Sequence, residues 1–375
     1  MKIKKIEKRA FVMALMLLVL VAPVAFAQSG AYDWAQAGVP LHASYPGVIR
    51  AYVAVNSPRL MKINCLRIDM HEATLRLLTT GRKTNWVDGS SETMTKRTRD
   101  FVSESQSGNR KVVAAINASP WNLTNAGASV AANLTGLAVS RGTLVSSWQA
   151  NYPSFVVMSN GVPAIIKPSS APGAMKSAVT GFSQVLSNGA VLGNTSTLHP
   201  RTVIGVSEDA RYVFFMTVDG RATMWSQGAT ENEVGAWLKH FGAYNGINMD
   251  GGGSTTMAWW NPASGGSAQL LNVPRANVIS TGNPPTAEER YNGNNIGVFY
   301  VAQPVMQSLE LGSNFTATLR WSSKPDYTYT LWRTTNLATG FTVRQTGIPG
   351  GSSVGTYTDA IGVAAAMFWK VELEE

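Results

Sequence analysis

The residues best equipped for chemistry form one short stretch, Asp250-Gly251-Gly252-Gly253-Ser254-Thr255-Thr256, in which a carboxylate precedes three glycines and three hydroxyls. Glycine gives up the most backbone entropy on ordering, so a run of it marks a chain that needs positive φ or that another group approaches closely. A second turn of the same design lies upstream, where the apolar run 212–218 ends in Asp219-Gly220-Arg221. Either Asp-Gly pair alone is an ordinary tight-turn dipeptide. Two of them, one joined to an arginine and the other to a hydroxyl run, point to a site.

Such turns need a scaffold to aim them. Between them, Thr230-Glu231-Asn232-Glu233 has the spacing of a capping box, with Val234, Trp237, Leu238 and Phe241 on one helical face and Gly242 as the stop. The path strand, turn, helix, strand predicts two parallel neighbouring strands whose C-terminal ends bring Asp219 and Asp250 into one crevice. Residues 48–301 show no fixed repeat and read as one α/β-type unit. Beyond Gln303-Pro304 the composition shifts to Thr, Ser and Gly with alternating strands near 316–321 and 327–332, the pattern of a small antiparallel β-sandwich.

The opening residues carry Lys2, Lys4, Lys5, Lys8 and Arg9, then an apolar run from Phe11 to Val24 and the small-residue pattern Ala25-Phe26-Ala27. This reads as a secretory signal over residues 1–27, bacterial in its lysine content, and its run is shorter than the ~20 residues that span a bilayer. The expected location is secreted, periplasmic or cell-surface, with no stable membrane span after cleavage. The net charge of +9 includes five cations and one acid from that segment, so the remaining balance is mildly positive. Without a basic run interleaved with aromatics, nucleic acid is not an expected partner. Cys65 is the only cysteine, so no intramolecular disulfide can form, and its strand-like context reads as a small buried hydrophobe.

Three runs in order support a family resemblance: His199-Pro200-Arg201-Thr202-Val203-Ile204-Gly205, then Val218-Asp219-Gly220-Arg221, then Asn248-Met249-Asp250-Gly251-Gly252-Gly253-Ser254-Thr255-Thr256. With Ala115-Ile116-Asn117, Leu271-Asn272-Val273-Pro274 and Glu289-Arg290, the stretch 48–302 resembles the phosphodiester glycosidase family. The chain departs from the family pattern at Ala118-Ser119-Pro120-Trp121, where glycines and an aromatic are usual, and at Met249, where leucine is usual. The expected architecture is an α+β (mixed α/β) catalytic domain over 28–303, followed by a small all-β sandwich over 304–375 that loosely resembles fibronectin-type modules.

The resemblance implies hydrolysis of the sugar C1–O bond in a sugar-1-phosphodiester, typically of N-acetylglucosamine, leaving a phosphomonoester. Asp219 and Asp250 are then the candidate acid/base or nucleophile, with their separation deciding retention or inversion. Which aspartate does which job is left open. Arg201 and Arg221 are candidate bidentate phosphate ligands, and Gly251, Gly252 and Gly253 could offer amides to the same anion. Ser254 and Thr255 add hydroxyl donors, Asn117 and His199 are candidates for polar contacts, and Glu289 and Arg290 complete the substrate-binding set. No cofactor is called for with certainty. A metal-assisted phosphodiesterase holding a divalent ion on Asp219 and Asp250 is one alternative, and a non-catalytic carbohydrate-binding protein is the other.

Overall fold

The computed structural model describes residues 30–374 except 123–126, 171, 195, 277–278 and 363–365, so the expected signal segment lies outside the described residues. The elements that build the site are β1 (Val48–Val55), β2 (Met61–Asp69), α1 (Thr98–Ser105), β3 (Val112–Asn117), β4 (Arg201–Val206), β5 (Tyr212–Val218), α2 (Glu231–Phe241), β6 (Asn245–Asn248), β7 (Met257–Asn261) and β8 (Asn295–Tyr300).

An eight-stranded sheet carries β1-β2-β5-β4-β6 in that order, and every neighbouring pair in it is antiparallel. A five-stranded sheet with β7-β3-β8 at its centre packs against it. The first core lies between them, with Leu66, Ile68, Val213, Phe215, Ile204 and Ile247 from the large sheet meeting Ala114, Ile116, Ile296 and Val298 from the smaller one. The second core covers the opposite face, where Met61, Ile63, Cys65, Phe214, Met216 and Val218 meet Val234, Trp237, Leu238 and Phe241 of α2.

This arrangement corrects the expected fold class. Strands hold 44% of the described residues and helices 8%, with only two α-helices among them, so the catalytic region is a mostly β structure and not an α+β or α/β unit. The reason lies in the double coverage. An antiparallel sheet with one wet face alternates, whereas β2 and β5 are buried on both faces and therefore read as the continuous apolar runs usual for parallel strands.

The helix itself forms as its sequence dictates. Thr230 accepts from the Glu233 amide, the Glu233 carboxylate accepts from the Thr230 amide, and Gly242 ends the helix at φ 103°. The strand relation it serves differs from the expected one in a single respect. β5 and β6 do run parallel and deliver both aspartates to the same sheet end, but β4 is inserted between them, antiparallel to each. Arg201, the first residue of β4, therefore sits between the two aspartate turns.

At the C-terminal end, two three-stranded sheets between Met306 and Leu373 enclose Leu319, Trp321, Tyr329 and Leu331. Phe299 and Val301, at the end of β8, join that cluster.

Candidate active site

The core changes character one row before the strand ends. Across the large sheet, Leu66, Phe215, Ile204 and Ile247 form an apolar row; two residues further along the same face the row reads Tyr52, Asn64, Thr217 and Thr202. Beyond it the chain leaves β6 and crosses between the sheets. The Met249 amide donates to the Thr202 carbonyl, and the Asp250 amide donates at 3.0 Å to the Ala118 carbonyl just past β3. Asp250 is thereby fixed at the seam of the two sheets.

Asn117 holds that crossing. Its Nδ2 donates to the Asp250 carbonyl at 2.6 Å, and its Oδ1 accepts from Thr202 Oγ1 at 2.7 Å and from the Thr256 amide at 3.0 Å. The side chain is fully buried, and three of its four hydrogen-bonding positions are taken by the turn and Thr202.

Each of the three glycines has its own reason. A Cβ at Gly251 would lie 3.0 Å from the Pro200 carbonyl, one at Gly253 2.4 Å from the Ala276 carbonyl, and Gly252 has φ +59° with the Arg221 guanidinium 2.9 Å from where its Cβ would be. Close packing, more than an open anion nest, explains the triplet. Several amides of the turn also serve it internally: that of Gly252 donates to Pro200, that of Ser254 to Gly251 and that of Thr255 to Gly252.

Asp250 is 8% exposed, and burial pushes its carboxyl up to about 6 against the opposing pull of Ser254, Arg290 and the Gly251 amide. The Ser254 hydroxyl donates to Asp250 Oδ2 and accepts from Arg290 Nη2, placing Arg290 3.9 Å from the same carboxylate oxygen. Among the described residues, no side chain donates to Oδ1. Arg221, at φ 56°, donates from Nη1 to the Ala276 carbonyl at 2.6 Å and flanks Gly252. Its guanidinium is made less basic first by burial and then by the charge of Arg290. The buried Nε of Arg290 has no partner among the described residues.

Asp219 is 2% exposed and bound on both oxygens. Oδ1 accepts from Asn272 Nδ2 and the Val273 amide, each at 3.0 Å, and Oδ2 accepts from Trp225 Nε1 at 2.9 Å. Burial again dominates and raises its carboxyl to about 6.

The remaining candidates divide. Arg201 is 7% exposed and donates to the Ala229 and Thr197 carbonyls, with Glu231 3.8 Å away. His199 is half-buried and bridged through its backbone to Ala229; burial, then Arg201 and Arg221, lower its basicity. The Thr255 hydroxyl is buried without a partner among the described residues. Glu289 turns away from its neighbour Arg290 and grips the start of α1, accepting from both the amide and Nε of Arg99 at 2.9 Å. Sequence reasoning misses Asn272 and Trp225 as site residues, although Asn272 lies in the Leu271-Asn272-Val273-Pro274 motif; both donate to Asp219.

No cluster of three or more His, Cys, Asp or Glu that could hold a metal ion occurs among the described residues. A cavity of about 790 Å³ lies elsewhere, lined by Arg76, Arg110, Lys176, Asp326 and Glu374 among others, and takes in neither aspartate.

Comparison with known proteins adds the following. The catalytic domain of zebrafish N-acetylglucosamine-1-phosphodiester alpha-N-acetylglucosaminidase, auto-inhibited by its pro-peptide, is similar at 17% identity and a TM-score of 0.46, over 70% of this chain and 86% of that one. A hypothetical protein from Synechocystis is similar at 13% identity and 0.46, over 68% of this chain, which spans 62% of that protein's length. A protein from Burkholderia pseudomallei described as a putative exported protein gives 13% and 0.42, over 64% of this chain and 74% of that one. No curated protein matches. The phosphodiester glycosidase family itself matches over residues 110–299, from the strand that ends in Asn117, through both aspartate turns, to the strand that follows Arg290. Matched across half its length and through both aspartate turns, the chain belongs to the phosphodiester glycosidase family, a family of hydrolases.

Proposed function

We propose that this protein hydrolyses the C1–O bond of a sugar-1-phosphodiester, of the N-acetylglucosamine-1-phospho type, and leaves the phosphate on the other partner. The observation that carries the reading is the convergence of Arg290 and Arg221 on the Asp250 turn, one reaching Asp250 through Ser254 and the other flanking Gly252. Two guanidinium groups held on the turn of one carboxylate favour an added anion, and planar donors suit phosphate oxygens.

The chemistry asks little more. Water attacks C1, the C1–O bond breaks with its electron pair going to the phosphate oxygen, and the proton from water passes to Asp250. Phosphate is already a good leaving group, so no strong general acid is required. A buried carboxylate with its ionisation near 6 is a better base than one at the ordinary value, and Asp250 Oδ1 is the oxygen left for that work. Arg201 and Asn117 hold the frame. The protein acts outside the cytoplasm, a reading supported by the basic, apolar and small-residue order of its first 27 residues.

Isotopically labelled water tests the reading. Incubating the protein with an N-acetylglucosamine-1-phospho-alkyl substrate should place the label on the released sugar, with Asp250→Asn inactive. Label entering the phosphate instead would establish P–O cleavage and sink the glycosidase reading.

A further inference from the structure

Two aspartates open the two turns, yet their surroundings are unlike. Asp250 has both of its side-chain partners on one oxygen and keeps some exposure. Asp219 is almost sealed, and three donors occupy its two oxygens. Its backbone is held as well, the amide by the Lys62 carbonyl at 2.9 Å and the carbonyl by Ser226 Oγ at 2.6 Å. A carboxylate so engaged is poorly placed either to take a proton from water or to attack a sugar carbon.

What Asp219 does reach is the other turn. Asn272, which donates to Asp219, also donates from Nδ2 to the Thr255 carbonyl at 3.2 Å and accepts on Oδ1 from the Met257 amide at 2.7 Å. Between those two residues lies Thr256, whose amide is held by Asn117, and Asn117 in turn holds the Asp250 carbonyl. A continuous set of hydrogen bonds, buried from Asp219 onward, thus runs from Trp225 through Asp219, Asn272, residues 255–257 and Asn117 to Asp250.

Resting on the glycosidase reading for its kinetic part, we infer that Asp219 is a positioning residue which acts through Asn272 to fix the 250–257 turn, and that Asp250 alone of the pair meets the substrate. The inference explains why the first turn needs an acid at all. Only a carboxylate offers enough acceptor capacity to satisfy an indole N–H, an amide N–H₂ and a backbone N–H at once in a site closed to water.

The test uses the full chain carrying Asp219→Asn, Trp225→Phe, both together, Asn272→Asp and Asp250→Asn. Each variant is followed by thermal unfolding, amide hydrogen exchange over residues 250–257, and kcat and KM from pH 4.5 to 8.5 on an N-acetylglucosamine-1-phosphodiester. Asp219→Asn sets an amide N–H₂ against the Trp225 N–H. It is expected to speed exchange in the turn and lower kcat about ten- to a hundredfold, the scale of a small misplacement, with the acidic limb of the pH profile kept. Adding Trp225→Phe removes the conflict between donors and should recover several-fold of the loss. Asn272→Asp should speed exchange in the same turn, and it carries the test if Asp219→Asn does not fold. The inference is overturned if Asp219→Asn loses activity as completely as Asp250→Asn with no recovery in the double variant, or if exchange in the turn is unchanged in both Asp219→Asn and Asn272→Asp. A wild type that turns over no sugar phosphodiester would remove the function reading alone, because exchange still decides the positioning role.

Discussion

Arg290 reaches Asp250 through a single hydroxyl: its Nη2 donates to Ser254 Oγ, which donates in turn to Asp250 Oδ2, 3.9 Å from the guanidinium. The cation is thus held beside the carboxylate without a direct short ion pair. That spacing leaves the arginine able to serve a second anion.

Replacing Arg290 with alanine should therefore do two things. It should lower kcat/KM by about a hundredfold, the usual cost of removing one preorganised charge donor. It should also move the acidic limb of the pH profile upward, because Arg290 is one of the groups that oppose the burial of Asp250. A profile that falls in height but does not shift would contradict the contact.

Activity is expected to rise with pH through about 6 in the wild type, since Asp250 must be ionised to accept a proton. The stability consequence has the opposite direction. A carboxyl whose ionisation is raised in the folded state contributes stability that is fully present below its unfolded value near 3.9 and is lost as pH rises through about 6. A shift of this size corresponds to about 3 kcal/mol at pH 8, to order of magnitude. Asp250→Asn should accordingly melt higher than the wild type at pH 8, with the difference vanishing towards pH 4, as calorimetry at the two pH values would show.

Gly253→Ala should destabilise by about 1–3 kcal/mol, the cost of forcing an extra carbon into a packed site. The new Cβ would meet the backbone carbonyl of Ala276 at 2.4 Å, which no side-chain rotation relieves. Since Ala276 also accepts from Arg221, the change should raise KM as well. Urea unfolding and steady-state kinetics on the same preparation would check both effects.

Asn117→Ala leaves the Asp250 carbonyl, the Thr202 hydroxyl and the Thr256 amide without their buried partner. At about 1–3 kcal/mol for each group left unsatisfied, a loss of several kcal/mol is expected. A variant within about 0.5 kcal/mol of the wild type, the range of an ordinary surface change, would show that the turn does not depend on Asn117.

The two aspartate turns, the capped helix between them and the family were all legible in the order of residues, because each rests on local chemistry: glycine where neighbours press on the backbone, a hydroxyl and a carboxylate spaced to cap a helix, a motif repeated in sequence. Cys65 in its apolar strand was legible in the same way and is buried. The fold class was not. Period and apolar content report how many faces of a strand are covered but not what covers them, so a sheet packed between a second sheet and α2 reads like the parallel sheet of an α/β protein. Nor could residue type separate Asp219 from Asp250, or Glu289 from Arg290, since each pair is alike or adjacent in the chain. Their surroundings differ because residues remote in sequence, Asn272 for one aspartate, Arg290 for the other and Arg99 for Glu289, are brought to them only by folding. The sequence by itself determined which side chains were present and how each turn bends. The tertiary structure decided which of them are spent on holding one another and which remain free to act, because hydrogen-bonding capacity in a buried site is finite and is assigned by contacts the sequence does not display.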